Sequence, residues 1–122
     1  MCFRTSHKIT VTKEMIKQYA NLSNDTNPIH FNYKEAVQQG FQAPIAHGLL
    51  TMGLVMNVTN RFTEKGMRIK DYDMQFLKPV YQDETINITA EAEKKRNHIH
   101  LKLMGKQVKG SVVLLPQLTD GA

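Results

Sequence analysis

The chain has one cysteine and no tryptophan in 122 residues. A single thiol, Cys2, cannot form an intramolecular disulfide, and a reducing compartment suits it best. No apolar run is long enough to cross a bilayer, because Gly and polar residues interrupt the longest one. Met1 to Lys8 holds no apolar signal core, so no export signal is read there. Without export, the Asn-x-Ser/Thr triplets at Asn21, Asn24, Asn57 and Asn87 are chance matches. Zinc-finger spacing is missing, and so is any interleaving of aromatic with basic residues. These absences lead us to expect a cytoplasmic chain with no membrane or nucleic-acid partner and no metal.

What is present fits one globular domain over residues 1–122, with 41% hydrophobic and 22% charged residues. The net charge of +5 favours an anionic partner such as an acidic carrier protein or a ligand's phosphates. The one tight basic run, Lys94-Lys95-Arg96, reads as a solvated turn between strands. It is also available, with Lys78, to a ligand's phosphates.

Periodicity then divides the chain. His7 to Thr12 alternates as an initial strand should, and Thr12 can cap a helix reaching about Leu22. Asn21 to Asn32 is loop, and a short helix from Tyr33 to Gln39 stops at Gly40. Ile45 to Asn60 is apolar nearly all round, which predicts a long buried helix. Its Gly48 and Gly53 call for close approach of a backbone or ligand. In the second half Tyr72, Met74 and Phe76 share one strand face, and Ile69 breaks their parity, so a bulge is expected near Asp71. Ile86, Ile88, Ala90 and Ala92 alternate cleanly, followed by Ile99, Leu101 and Leu103, then Val108, Val112 and Leu114. Pro116 ends the sheet, and Gln117 to Ala122 reads as a tail. The prediction is an α+β fold with about five antiparallel strands wrapped around the helix. One small sheet cannot cover an all-apolar helix, so a second copy completing a homodimer is expected.

The chemistry concentrates in Asp25-Thr26-Asn27-Pro28-Ile29-His30 and Pro44-Ile45-Ala46-His47-Gly48. Asp25 and His30 are five apart on a loop that Pro28 is expected to keep extended. A loop of this kind can turn both side chains toward one water. Gly48 falls in the first turn of the apolar helix, where backbone N–H groups are unpaired and the dipole is positive.

These two segments, with Leu49-Leu50 after them, resemble the MaoC-like dehydratases, which include the (R)-specific enoyl-CoA hydratases. The resemblance is strong from Asn21 to about Gly53 and weaker from Asp73 to Asp83. It implies the hot dog fold and a homodimer. It also implies reversible hydration of a trans-2-enoyl thioester, on CoA or acyl carrier protein, to the (R)-3-hydroxyacyl thioester. Asp25 and His30 become the catalytic pair, with Asp25 set in a partly apolar pocket. Gly48 becomes the backbone donor to the thioester oxygen. Asn27, Pro44, Ile45, Ala46, His47 and Lys78 become substrate contacts. No cofactor is implied. The chain departs from the family at Asn32, where many members have Asp, and near Met56, where some have a supporting Ser.

Taken singly, Asp25 reads as a turn cap and His47 as a structural ring at a helix start. His98 and His100 share an exposed strand face. A hot dog thioesterase is the nearest alternative activity, but it calls for an acidic residue on the central helix, and Ile45 to Asn60 has none. A non-catalytic acyl-CoA-binding protein is the other alternative.

Overall fold

Strand β1 (Cys2–Thr10) enters helix α1 (Lys13–Ser23) through the fully buried Val11. Thr12 starts that helix as read, its hydroxyl accepting from the Met15 N–H at 3.1 Å. The computed structural model describes residues 2–116, so the reading made for the tail lies outside the described residues. Helix α2 (Tyr33–Gln38) is capped by the Asn32 side chain and stopped at Gly40, whose φ of +93° suits glycine alone. Helix α3 (Gly48–Met56) runs through a 3-10 turn (Asn57–Thr59) into the short α4 (Asn60–Thr63).

Strands β2 (Met67–Phe76), β3 (Thr85–Lys94), β4 (Ile99–Met104) and β5 (Val108–Pro116) complete one antiparallel sheet. Its order is β1-β3-β4-β5-β2, which leaves β1 and β2 at the edges. The alternation read from the sequence becomes the core. Ile86, Ile88, Ala90, Ala92, Leu101, Leu103, Val112 and Leu114 are all buried, and Val55, Val58 and Phe62 meet them from the helical side. The bulge falls where expected. Ile69 pairs with Leu114 and Asp71 with Val113, so Lys70 is the extra residue that restores the inner face at Tyr72. Further along the same pair, opposite Met74, Gly110 allows a tight approach, since a Cβ there would strike the Asp73 carbonyl oxygen.

Three expectations need correction. The central helix does not begin at Ile45. Residues 44–46 instead pair with the chain ahead of β3: the Ala46 N–H donates to Val80 O at 2.7 Å and the Gln82 N–H to Pro44 O at 3.1 Å. That pairing holds the segment extended and delays the helix to Gly48. Nor is the helix buried all round. Thr51 and Val55 are its fully buried residues, Leu49 is 66% exposed, and nothing lies within 4 Å of a Cβ built on Gly53. The sheet covers one side of α3 only. Finally, Pro28 does not extend its loop. It opens a 3-10 turn (Pro28–His30), and the extended residue is Asn27 before it, as the proline ring requires.

Candidate active site

The loop after α1 is built by short polar side chains. Asn24 leaves the helix in the left-handed region (φ 61°). The Asp25 N–H donates to Ser23 Oγ at 3.2 Å, and Asn27 Oδ1 accepts from the Ile29 N–H at 3.1 Å. Asn27 is therefore occupied in capping the 3-10 turn. That turn delivers His30 into the interior, where its side chain is 7% exposed while that of Asp25 is 52% exposed. The partly apolar pocket expected around Asp25 is not formed by this chain alone.

Backbone carbonyls set the tautomer of both histidines. His30 Nδ1 lies 2.7 Å from Ile45 O, an acceptor only, so Nδ1 carries the proton and donates. Nε2 then presents its lone pair toward Asp25, with 3.9 Å between Nε2 and Oδ1. That gap is too long for a direct hydrogen bond and suits one water bonded to both. Burial pushes the His30 pKa below its ordinary 6.5, the nearby His47 ring adding to the effect against the opposing Ile45 carbonyl and Asp25. The ring is therefore neutral near pH 7, as a lone-pair acceptor must be.

His47 is buried, and its Nε2–H donates to the Asp25 carbonyl oxygen at 2.9 Å. It stacks on His30 with ring centroids 3.6 Å apart and planes 23° apart. Tyr19 closes its other side at 4.8 Å. His47 Nδ1 is buried without a hydrogen-bond partner among the described residues. Asp25, His30 and His47 offer ligand atoms within 4.8 Å of one another. They are nonetheless a poor metal set. The two rings are nearly parallel, so the free in-plane lone pairs of His30 Nε2 and His47 Nδ1 run side by side and do not meet.

Gly48 is the first residue of α3, and the N-cap residue His47 makes no side-chain cap. The first-turn N–H groups of that helix therefore face outward unpaired by a cap. Of these first-turn residues Gly48 lines a depression of about 310 Å³, which also touches Ile45, Ala46, Thr51, Phe76, Leu77 and Lys78. Asp25 and His30 are not part of that lining; they join the strip Ile45–Gly48 through the His30–Ile45 and His47–Asp25 hydrogen bonds. Pro44, half-buried, holds the strip through its carbonyl. Sequence reasoning pointed to Thr51 as a residue that shapes the pocket, but missed Phe76 and Leu77 as lining residues. Phe76 carried a strand-face signal, and that signal says nothing of a face left uncovered.

The MaoC like domain family matches residues 1–113. The chain belongs to this family. It is 37% identical over 101 residues to the peroxisomal multifunctional enzyme type 2 of Mus musculus, covering 81% of this chain and 13% of that one. It is 33% identical over 81 residues to the (R)-specific enoyl-CoA hydratase of Rhodospirillum rubrum, covering 66% of this chain and 56% of that one. The chain thus spans about an eighth of the length of the first relative and little more than half of the second. Among solved structures, the R-hydratase PhaJ1 of Pseudomonas aeruginosa superposes with a TM-score of 0.76 at 19% identity, over 95% of this chain and 81% of that one. The MaoC-like α+β hot dog fold read from the sequence is the fold observed. Among the described residues no helix is long and apolar enough to cross a membrane.

Proposed function

We propose that this chain reversibly hydrates a trans-2-enoyl thioester, of CoA or acyl carrier protein, to the (R)-3-hydroxyacyl thioester. The observation that carries the reading is the 3.9 Å gap between His30 Nε2 and Asp25 Oδ1. A carboxylate oxygen and the Nε2 lone pair both accept, so a water between them donates both of its protons and turns a lone pair outward. That lone pair attacks C3 of the enoyl group. One water proton passes to Asp25 as general base. The π electrons move to the thioester, and the enolate oxygen takes the Gly48 N–H at the positive end of α3. His30 orients the water and helps return the proton to C2, so one water is added in all. The reverse sequence is dehydration. The stacked His47, tied to the Asp25 carbonyl, keeps the two halves of the site in register.

The working form is a homodimer. Edge strand β2 presents an inner face with Tyr72 53% exposed, beside the uncovered side of α3. An isologous two-fold that pairs β2 with its copy covers both at once. The single cysteine fits a reducing compartment, the cytoplasm being the simplest.

The test is hydration of crotonyl-CoA, followed by loss of the conjugated thioester absorbance, with an (R)-specific dehydrogenase reading the product. Asp25→Asn should lower kcat by about 100-fold or more with the circular dichroism spectrum unchanged, since the side chain is half exposed. Wild-type kcat in that variant would remove Asp25 from the reaction. Release of free thiol in place of the hydroxyacyl ester would replace hydration with thioesterase activity.

A further inference from the structure

We propose that the hairpin tip Lys94-Lys95-Arg96 of one protomer binds the phosphates of a CoA ester held in the other protomer's site. This rests on the dimeric hydratase reading above and names the residues that recognise its substrate.

The tip joins β3 to β4 and is closed by the Lys95 N–H donating to His98 O at 2.8 Å. All three cations are exposed around a depression of about 400 Å³ whose apolar lining includes Met67, Ile99 and Pro116. Lys95 is tied to Glu93 at 2.7 Å. Lys94 and Arg96 have no ion-pair partner among the described residues. This is a cationic rim over an apolar floor, the chemistry that takes a phosphorylated nucleotide.

Within one chain the rim is at the wrong end of the sheet. It is level with Met67, at the start of β2, whereas Gly48 packs near Phe76, at the end of β2. Ten residues of strand separate these ends by about 30 Å. A phosphopantetheine arm has roughly thirteen bonds from sulfur to phosphorus and extends about 15 Å. It cannot reach the cations of its own protomer. Antiparallel pairing of β2 with its copy reverses this. The start of the partner's β2 then lies beside the end of the first, and the partner's hairpin sits at the end that holds the site. From β2 the steps cross to the partner's β2, β5 and β4, which at ~4.8 Å each come to about 14 Å. The arm spans that distance.

The experiment compares crotonyl-CoA with crotonyl-pantetheine, which lacks phosphate. In the variant carrying Lys94→Gln, Lys95→Gln and Arg96→Gln, the ratio of kcat/KM for the CoA ester to that for the pantetheine ester should fall about tenfold. Mixed dimers of this variant with Asp25→Asn have one competent site, which faces an intact hairpin, and should regain the wild-type ratio. An unchanged ratio in the triple variant overturns the phosphate contact. A lowered ratio that persists in the mixed dimer overturns its delivery across the interface. As a measurement free of mutation, added salt should lower wild-type kcat/KM for the CoA ester and spare the pantetheine ester; equal responses overturn the proposal. A wild-type chain that turns over neither ester refutes the hydratase reading itself.

Discussion

Gly48→Pro separates the chemistry of α3 from its folding. Gly48 is the first helical residue, the one helix position where proline is preferred, because its N–H has no intrahelical partner. His47 before it has φ −62° and ψ 137°, the extended conformation a residue before proline adopts. The φ of Gly48 is not positive, and a Cβ there meets only the Phe76 ring, at 3.6 Å, an ordinary contact. The fold should therefore keep its stability or gain about 0.4–1 kcal/mol from a stiffer unfolded chain. What is lost is one N–H. If that N–H holds the enolate oxygen, its removal costs about 3 kcal/mol in the transition state, or roughly 10²–10³ in kcat. Gly48→Ala keeps the N–H while adding a methyl, and so reports bulk alone. The assay is crotonyl-CoA hydration beside a thermal melt of each variant. A proline variant with an unchanged melt and kcat within about threefold of wild type would refute the oxyanion role of Gly48.

Burial lowers the His30 pKa from 6.5, so the unfolded chain takes up a proton there at a pH where the folded chain does not. Stability from this ring is complete above pH 6.5 and declines below it. Urea midpoints should drop between about pH 7.5 and pH 5.5, by less in His30→Gln, and an equal drop in both would discount the ring. Gly110→Ala should destabilise the chain by roughly 3 kcal/mol, because the neighbour it strikes is the backbone of β2. A urea midpoint close to wild type would show that β2 yields easily. Tyr72→Glu should weaken the dimer about 100-fold in sedimentation without unfolding the protomer, and an unshifted dimer would place the interface elsewhere.

The β-sheet was legible because burial on one face writes itself as alternation. Ile86 to Ala92 and the break at Ile69 needed no knowledge of partners in the sheet. The caps at Thr12 and Gly40 were legible for the same local reason. The central helix was misjudged because hydrophobicity reports eventual burial, not what does the burying. Leu49 and Gly53 look like core and lie on the open side of the lone chain. The start of the helix was misjudged because pairing of residues 44–46 with residues 80–82 is a contact between distant segments, which no local pattern carries. At the site, Asp25 and His30 were legible as residue types in register. The His30–His47 stack and the carbonyls of Ile45 and Asp25 that orient the rings were not, since they are backbone and packing features.

Ile45 accepts from His30 through its carbonyl and donates through its N–H to Ile29 O at 3.1 Å. The chain between these anchors, carrying α2, is an excursion that leaves and returns at one stitched point. Its outer residues Tyr33 and Val37 are exposed while Ala36 is buried, so its outer face is free of the constraint that holds the His30 ring. Replacements on its outer face can remodel the surface beside the pocket while the imidazole keeps its place, which makes this excursion the natural ground for divergence among relatives.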